Sequence, residues 1–392
     1  MKFEASPSSA DAVSILEKIA KRPKKIKARK INKKLAIYGA GKLGRMAIEY
    51  LDSIGIKPDI VIDSNLDIVL NDMYWNDKNV ISPDEVSDVI RASYMLVVSI
   101  VTLPFEMLAG ELAKNGWIDI VPFYDVTEAY KDLHPLSNGW ILEDFSKIDL
   151  EQTQEVLRTW GDDVSRAHHL QFLAWHKFHE DWMFSDAPIV HENRYFIPEI
   201  IGAMGQEEYF LDVGAHMGEV TENFLERTQS NFNGICMIEP DYKSYAKIKE
   251  KFFIDGNKRY KDVQLLSYAV AEFGGKKLFY SGLGYASQLS YMGADMVSVT
   301  TIDRLKLEPT FIKLHLEGAE LDALKGAVET IKSFEPILAV TTYHNYLGVW
   351  QLPMWLINQT RSMGLSYKFF LRLHGWCGTG AVLYAIPNRR LE

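Results

Sequence analysis

Two stretches of this 392-residue chain alternate short apolar runs with amphipathic segments. The first stretch begins at Lys34, where LAIYG is a β-rich run, AGKLGRMAIEYLDSIG has helical periodicity and DIVIDS has the pattern of a second strand. Further strands are predicted at residues 94–99 and 120–125, with a helix between them. Because strands that alternate with helices form parallel sheets, we predict a Rossmann-like α/β domain over residues 34–132.

The alternation resumes at Tyr209 and continues to the C-terminus. YFLDV, GICMIEP, VQLLSYAV, FIKLHLE and ILAVTTY are predicted strands, and ENFLERTQ, YKSYAKIKEKF, LDALKGAVETIKSF and LPMWLINQTRSMG are predicted helices. Two late runs, YKFFLRL and AVLYAIP, have no helix between them and are predicted to pair as a hairpin. Residues 201–392 are therefore predicted to form a second doubly wound sheet with a terminal antiparallel strand.

The segments outside these two units have different compositions. Residues 133–200 are dense in Trp, His and Phe, as in HHLQFLAWHKFHEDWMF. Histidines at helical spacing are more often packing residues than ligands, so we expect a mainly helical connector and no metal site. Residues 1–33 form a polar and basic segment, in which nine of the fourteen residues of KRPKKIKARKINKK are basic. This run is either a solvated linker or the contact for an anionic partner.

Composition limits the classes of partner and location. The net charge of −9 argues against nucleic acid as the main partner. The chain has two cysteines, too few for a disulfide framework or a cysteine-based zinc site. No apolar stretch reaches the roughly 18 residues of a membrane span, and the first residues lack the apolar core of a signal peptide. We therefore expect a cytoplasmic protein without a membrane span.

A glycine-bearing turn follows the first strand of the C-terminal unit. Gly214 and Gly218 lie at the carboxyl end of YFLDV, where open α/β sheets bind nucleotides. The spacing is G-x-x-x-G and not the dinucleotide G-x-G-x-x-G. Asp212 stands just before the turn, where a carboxylate repels a pyrophosphate but suits a cationic amino-acid ligand. Glu239 ends the second strand, at a position from which a carboxylate can accept both ribose hydroxyls.

Four segments together resemble the FkbM family of methyltransferases. They are DVGAHMG (212–218), IEP (238–240), VTTIDRL (299–305) and FIKLHLEGAE (311–320) followed by LKG. The resemblance covers residues 190–387 and implies a class I methyltransferase fold with S-adenosylmethionine as the methyl donor. It also implies O-methylation of a hydroxyl, on acceptors that are often sugars or glycosylated or polyketide-type natural products.

This resemblance assigns residues to a donor site and to a catalytic site. The donor-site residues are Asp212, Gly214, Ala215, His216, Gly218, Glu239 and Ala269. The family commonly has Asp at position 315, where this chain has His315. A histidine there can take the proton of an acceptor hydroxyl, or it can simply hydrogen-bond a neighbouring loop. Glu317 and His344 complete the predicted catalytic site. Further candidates for donor or acceptor contacts are Tyr343, His374, Tyr285, Ser287 and Gln288.

The N-terminal unit carries the dinucleotide fingerprint in its expected context. Gly39, Gly41 and Gly44 follow a strand and open a helix, and Asp63 closes the second strand. The run resembles domains that bind NAD or nucleotide sugars, and also N-terminal extensions of some FkbM-type methyltransferases. We predict a nucleotide or nucleotide sugar as its ligand. A structural or dimerising domain and an active oxidoreductase remain alternatives.

The sequence thus favours an S-adenosylmethionine-dependent O-methyltransferase that acts on a hydroxyl of a sugar or another small-molecule or glycan acceptor, with a homodimer as one possible assembly. Nitrogen is the alternative methylated atom. One alternative function is an NAD-linked sugar-modifying enzyme or nucleotide-sugar-binding protein that works through the N-terminal domain. Another is a non-catalytic scaffold.

Overall fold

The computed structural model describes residues 1–136, 139–253 and 262–391, and only the backbone of Tyr285. The chain forms two α/β units with parallel strands, in agreement with the predicted fold class, and a set of helices joins them. No helix in the described ranges is long and apolar enough to cross a membrane.

The N-terminal unit is a five-stranded parallel sheet in the order β4-β3-β2-β5-β6. Its strands are β2 (Leu35–Tyr38), β3 (Ile60–Ile62), β4 (Val80–Ile81), β5 (Met95–Val98) and β6 (Asp119–Pro122). Its helices are α2 (Lys42–Ser53), α3 (Leu66–Val69), α4 (Asp88–Ser93), α5 (Phe105–Lys114) and α6 (Phe123–Ala129). The predicted strand at 120–125 ends at Pro122, because a proline cannot continue the hydrogen-bonded ladder and its φ of −67° suits the start of α6.

The connector is helical and includes the first residues of the chain. Its elements are β1 (Lys2–Phe3), α1 (Ser9–Lys21), α7 (Lys147–Thr159), α8 (Asp163–Phe178), β7 (Met183–Phe184) and α9 (Pro198–Ala203). Helix α1 packs against α7 and α8, and β1 pairs with β7. His168, His169 and His176 on α8 are buried, and each places a ring nitrogen 3.2, 2.8 or 2.9 Å from a backbone carbonyl oxygen. Their links to the C-terminal unit are the Val349 carbonyl oxygen for His169, the Gly378 carbonyl oxygen for His176 and the Leu373 N–H for His168.

The C-terminal unit is a seven-stranded sheet in the order β10-β9-β8-β15-β16-β18-β17. Its strands are β8 (Tyr209–Val213), β9 (Gly234–Ile238), β10 (Val263–Leu266), β15 (Phe311–Leu314), β16 (Ile337–Thr341), β17 (Tyr367–Leu373) and β18 (Ala381–Pro387). Its helices are α10 (Glu219–Arg227), α11 (Tyr242–Phe252), α12 (Ile302–Leu305), α13 (Glu320–Lys325), α14 (Val328–Phe334) and α15 (Gln351–Ser362). The predicted hairpin of β17 and β18 is present, and β18 runs antiparallel between β16 and β17.

A small four-stranded sheet, which the apolar pattern does not reveal, stands beside the large one. Its strands are β11 (Ala269–Val270), β12 (Gly275–Tyr280), β13 (Gln288–Leu289) and β14 (Asp295–Thr300), in the order β11-β14-β12-β13. The run VQLLSYAV, predicted as one strand, therefore supplies β10 to the large sheet and β11 to the small one.

Alternation along the central strand divides the core into two layers. Leu211 and Val213 of β8 pack on one face of the sheet, together with the connector helices, and Phe210 packs on the other face. Both faces of the sheet are therefore covered. The functional side chains are left to the loops at the carboxyl ends of the strands.

Candidate active site

The strand register brings four carboxyl ends together. Val213 at the end of β8 pairs with Ile238 of β9 and Leu314 of β15, and Leu314 pairs with Val340 of β16. The turns that follow these strands therefore meet at one edge of the sheet. This edge is where an open parallel sheet binds its ligand.

The turn after β8 requires its two glycines. Gly214 and Gly218 have φ values of 74° and 76°, a region that favours glycine. A Cβ on Gly214 would lie 2.0 Å from the carbonyl oxygen of His315, and one on Gly218 would lie 2.6 Å from the ring of Phe252. The glycines are therefore required by close packing within the protein itself.

Glu239 is buried beside this turn and holds it in place. One carboxylate oxygen accepts the backbone N–H of His216 at 2.7 Å, and the other accepts that of Asp241 at 2.9 Å. Burial raises the pKa of Glu239 to about 7, although these two N–H groups and the charge of Lys313 favour the ionised form. Each oxygen keeps a second lone pair with which to accept a ribose hydroxyl.

Asp212 lies beneath the turn and does not reach its surface. Its Oδ1 accepts a hydrogen bond from Nζ of Lys313 at 2.9 Å, and its Oδ2 accepts one from the hydroxyl of Thr221 at 2.8 Å. Lys313 also donates to the carbonyl oxygen of Gly214 at 2.7 Å. The buried pair of Asp212 and Lys313 thus supports the turn. The positive charge of Lys313 also offsets the Asp212 carboxylate, which the sequence suggested as a partner for a cationic ligand.

A narrow cleft opens at this edge of the sheet. Of the predicted donor-site residues, Gly214, His216, Glu239 and Ala269 line it, and His315 of the predicted catalytic site lines it too. Asp212, Ala215 and Gly218 are placed behind the lining residues. The small sheet closes the cleft from the other side. Its contribution consists of Val270, Phe279, Gln288 and Leu289, with Ser287 of the preceding turn. The side chain of Tyr285, also predicted there, lies outside the described residues.

The three predicted catalytic residues form one polar cluster after β15 and β16. Nε2 of His315 lies 3.0 Å from Oε1 of Glu317, and Nδ1 of His344 lies 3.2 Å from Oε2 of the same carboxylate. His344 is only 1% exposed and Glu317 only 4%. We refer to His315, Glu317 and His344 as the polar cluster.

The charges within the polar cluster are coupled. Burial alone would raise the pKa of Glu317, but His344 and His315 hold that pKa well below its ordinary value. Burial opposes protonation of His344, yet the Glu317 carboxylate raises the pKa of that histidine. Burial and the nearby Arg194 lower the pKa of His315. These directions describe an ion pair of Glu317 and His344 beside a neutral His315.

Two residues beside the polar cluster, Arg194 and Tyr195, were not singled out from the sequence. The hydroxyl of Tyr195 lies 2.8 Å from Nδ1 of His315. Arg194 donates to the hydroxyl of Tyr343 at 3.1 Å and lies over the rings of Tyr195 and Tyr343. Arg194 and Tyr195 belong to the segment NRYFIPEI, which lies within residues 190–387 but outside the four segments that carry the resemblance.

A second groove adjoins the cleft on the side of the polar cluster. It measures about 600 Å³, and its lining includes Lys277, Tyr291, Glu317, Asp322 and Asn345. The cleft and the groove share Gln288, Leu289 and Ala319 as lining residues. Two adjoining sites thus meet beside Glu317 and His315. His374, another predicted candidate, is buried elsewhere, with its ring nitrogens near Val190 and Tyr384.

The N-terminal glycine turn joins β2 to α2 and is compact. The amide of Ala40 donates to Oδ2 of Asp63 at 2.7 Å, so this acid holds the turn. A Cβ on Gly44 would lie 2.0 Å from the carbonyl oxygen of Gly39, whereas one on Gly41 would meet nothing within 4 Å. Gly41 thus presents an open surface.

The N-terminal glycine turn faces the turn of the C-terminal unit. Nζ of Lys42, which opens α2, lies 3.0 Å from Oε1 of Glu219, which opens α10. A groove between them is lined by residues of both units, among them Arg45, His216 and Asp241. The two glycine turns are therefore neighbours across the contact between the units.

Residues 212–357 match the family described as Methyltransferase FkbM domain. This match supports the resemblance for the central part of the C-terminal unit and indicates a methyltransferase. The N-terminal unit lies outside the match. No curated protein matches the chain in sequence.

A solved structure shares the fold over nearly the whole chain. The methyltransferase FkbM from Methylobacillus flagellatus KT has a TM-score of 0.63 and 19% sequence identity, with 96% of this chain and 99% of that chain covered. The likeness therefore extends beyond the matched segment to the connector and the N-terminal unit. At this identity it shows the fold alone.

Proposed function

We propose that this protein is an S-adenosylmethionine-dependent O-methyltransferase that acts on a hydroxyl of a sugar or a glycosylated small molecule. The observation that carries the proposal is the junction of the narrow cleft with the 600 Å³ groove beside the polar cluster. The cleft would hold the donor and the groove the acceptor. The match of residues 212–357 to a methyltransferase domain supports the same reaction class.

The donor is proposed to bind along the turn after β8. The carboxylate of Glu239 would accept the ribose hydroxyls, while Ala269, Phe279 and Leu289 supply an apolar wall for the adenine. His315 also lines the cleft, and we assign the part of the cleft beside it to the sulfonium and its methyl group. Asp212 and Gly218 would act by shaping the turn.

Methyl transfer requires one new bond, one broken bond and the loss of a proton. The acceptor oxygen forms a bond to the methyl carbon as the carbon–sulfur bond breaks, and the sulfur keeps the electron pair in S-adenosylhomocysteine. Alignment of the acceptor oxygen, the methyl carbon and the donor sulfur supplies much of the rate acceleration. The hydroxyl proton must leave, and we propose that the polar cluster activates the hydroxyl for this step.

The groove has the polar lining that a hydroxylated acceptor needs. Gln288 and Asn345 offer amide groups, and Lys277 and Asp322 offer charges of both signs. Tyr291 also lines the groove, and its side chain, which is 85% exposed, presents an aromatic face. The groove volume lies within the ~300–1,000 Å³ of small-molecule sites. These features support a sugar-sized acceptor.

Calorimetric titration with S-adenosylhomocysteine tests the donor assignment. We expect saturable binding by the wild type and binding at least about tenfold weaker in Glu239→Gln, since two hydrogen bonds to a charged acceptor are lost. Glu226→Gln, an exposed substitution on α10, is the matched control and should bind as the wild type does. Absence of binding by the wild type would refute the proposed function.

A second function is favoured by the N-terminal glycine turn. Its compact form, with Asp63 holding the amide of Ala40 and Gly41 left open, supports binding of a nucleotide or nucleotide sugar. We propose this ligand as an addition to methyl transfer. Titration of the full chain with NAD and with a uridine diphosphate sugar tests it. If neither compound shows saturable binding, the proposal fails.

A further inference from the structure

We propose that the polar cluster of His315, Glu317 and His344 binds a divalent transition-metal ion that holds the acceptor oxygen. Binding of the ion stands on the geometry of the cluster, whereas its role in methyl transfer rests on the proposed function. The inference differs from the expectation of the sequence, in which these three residues act without a metal.

The spacing of the ligand atoms fits a single ion. Nε2 of His315 and Nδ1 of His344 lie 3.0 and 3.2 Å from the Glu317 oxygens, and the ligand atoms of all three side chains fall within 4.8 Å of one another. Ligands at ~2.1 Å from one ion lie roughly 3.0–3.4 Å apart in octahedral or tetrahedral geometry. Small side-chain adjustments therefore place one ion among the three.

Within the described residues, three of the four ring nitrogens of His315 and His344 lack a well-formed hydrogen bond, although two of them lie close to Glu317. Among the described residues, Nε2 of His315 and both ring nitrogens of His344 are buried without a hydrogen bond of acceptable geometry. A buried polar nitrogen without a partner destabilises the folded protein, because it has lost its hydrogen bonds to water. Coordination to an ion would satisfy Nε2 of His315 and Nδ1 of His344 at once.

The surroundings direct these nitrogens toward the centre of the cluster. A metal-bound histidine usually places its other ring nitrogen against an oxygen, which fixes the tautomer. Nδ1 of His315 lies 2.8 Å from the hydroxyl of Tyr195. Nε2 of His344 faces Oε1 of Glu320 at 3.9 Å, and that carboxylate is itself held by the hydroxyl of Thr341 at 2.6 Å. His315 thus has the outer oxygen that such a site uses, and His344 has a carboxylate oxygen nearby, beyond hydrogen-bond distance.

The ligand set selects the class of ion. Two imidazoles and one carboxylate suit zinc, manganese, iron or cobalt, whereas magnesium and calcium prefer oxygen ligands. Three protein ligands leave positions open for other groups. Because Glu317 lines the acceptor groove and His315 the donor cleft, the open positions face the junction of the two.

The bound ion would determine how the acceptor is activated. A hydroxyl on a divalent ion loses its proton more readily, so the proton can pass to water before the methyl group transfers. Two adjacent oxygens of a vicinal diol or an α-hydroxy acid would fill two open positions. The nearby guanidinium of Arg194 adds positive charge and favours an acceptor that becomes an alkoxide.

Calorimetric titration of the full chain with Zn²⁺ and with Mn²⁺, after removal of bound metal by a chelator, tests the site. We expect one saturable equivalent of at least one ion. Affinity should fall at least about 100-fold in His344→Gln and His315→Gln, since loss of an outer partner alone costs ~10–100-fold. In Tyr195→Phe, which removes an outer partner, metal affinity should fall by only ~10–100-fold. His179→Asn, on the connector, should bind as the wild type does.

Parallel titration with S-adenosylhomocysteine separates the two proposals. Variants that keep donor binding are folded, so their loss of metal can be assigned to the cluster. Failure of the wild type to bind either ion, or unchanged binding in His344→Gln, would overturn the metal proposal. If the wild type binds metal but no S-adenosylhomocysteine, the proposed function fails while the metal site stands.

Discussion

At the scale of single residues, three side chains around the site have an unusual backbone conformation. Tyr195, His216 and Glu317 have φ values of 71°, 52° and 51°, in the left-handed region that residues other than glycine rarely adopt. Such positions cost on the order of 1–3 kcal/mol each, and they persist only where packing and hydrogen bonds enforce them. All three contact the cleft or the polar cluster, so the strain lies where the side chains must point in fixed directions.

The donor affinity should depend on pH through Glu239. Its pKa is raised by burial to about 7, and ribose hydroxyls donate to the ionised carboxylate, so binding favours loss of the proton. Affinity for S-adenosylhomocysteine should therefore be constant above pH ~7 and fall by up to about tenfold per unit below it. Glu239 is faced by Asp241, Lys313 and the backbone of His216, and burial lowers the pKa of the His216 ring, which stays neutral at pH ~7.

Calorimetry over pH ~5.5–8.5 measures this dependence, and Glu239→Gln should abolish it because an amide does not titrate in that range. Equal dissociation constants for the wild type at both ends of the range would contradict the assignment of Glu239 to the ribose.

Gly214 should tolerate no side chain. In Gly214→Ala, the new Cβ would lie 2.0 Å from the carbonyl oxygen of His315 on a backbone with φ of 74°. We expect destabilisation of about 1–3 kcal/mol or more, seen as a lower Tm, together with weaker donor binding. Gly202→Ala on α9 is the control, since its Cβ would meet nothing within 4 Å. A Tm for Gly214→Ala equal to that of the control would show that the turn adapts.

At the scale of elements, the sequence predicted the parallel sheets because their buried strands are apolar runs bounded by helical periodicity. It joined β11 to β10 in one predicted strand, and it did not single out β12, β13 and β14. A strand of two residues such as β13 shows no period. It also joined α13 and α14 into one helix. The break falls at Gly326, where a Cβ would lie 2.4 Å from the carbonyl oxygen of Ala271, a tertiary contact that no local pattern contains.

The acids at the strand ends show a second limit of the sequence. Asp63 was assigned to a nucleotide site and Glu239 to ribose hydroxyls, and the structure places each next to its glycine turn. There they accept the backbone amides of Ala40 and His216. The position at the carboxyl tip of the second strand was predictable. The hydrogen bonds from each carboxylate to its glycine turn were not predictable, because they depend on the path of a turn about twenty residues away.

At the scale of the whole molecule, the basic segment joins the parts of the chain. Arg22 pairs with Glu180 of the connector, and Arg29 and Lys33 both pair with Asp119 at the start of β6. These contacts favour the linker interpretation of KRPKKIKARKINKK over an anionic partner. Exposed pairs of this kind contribute little stability individually, about 0–1 kcal/mol each, so their effect is to fix the path of the segment.

Gly41 allows the proposed nucleotide site of the N-terminal unit to be tested without disturbing the fold. A Cβ on Gly41 would meet nothing within 4 Å, and the residue has an ordinary φ of −77°. Gly41→Ala should therefore leave the Tm unchanged, yet it should obstruct a pyrophosphate that approaches the turn. We expect binding of NAD or of a uridine diphosphate sugar to weaken by at least about tenfold, while S-adenosylhomocysteine binding is kept.

Gly110→Ala is the matched control, because its Cβ also meets open space but lies on α5, away from the turn. If Gly41→Ala binds the nucleotide as tightly as the control does, then the ligand does not rest on this turn. The compact form of Gly39, Gly44 and Asp63 would in that case serve packing alone. A selective loss in Gly41→Ala would instead place a second ligand next to the donor turn, because Lys42 and Glu219 join the two turns.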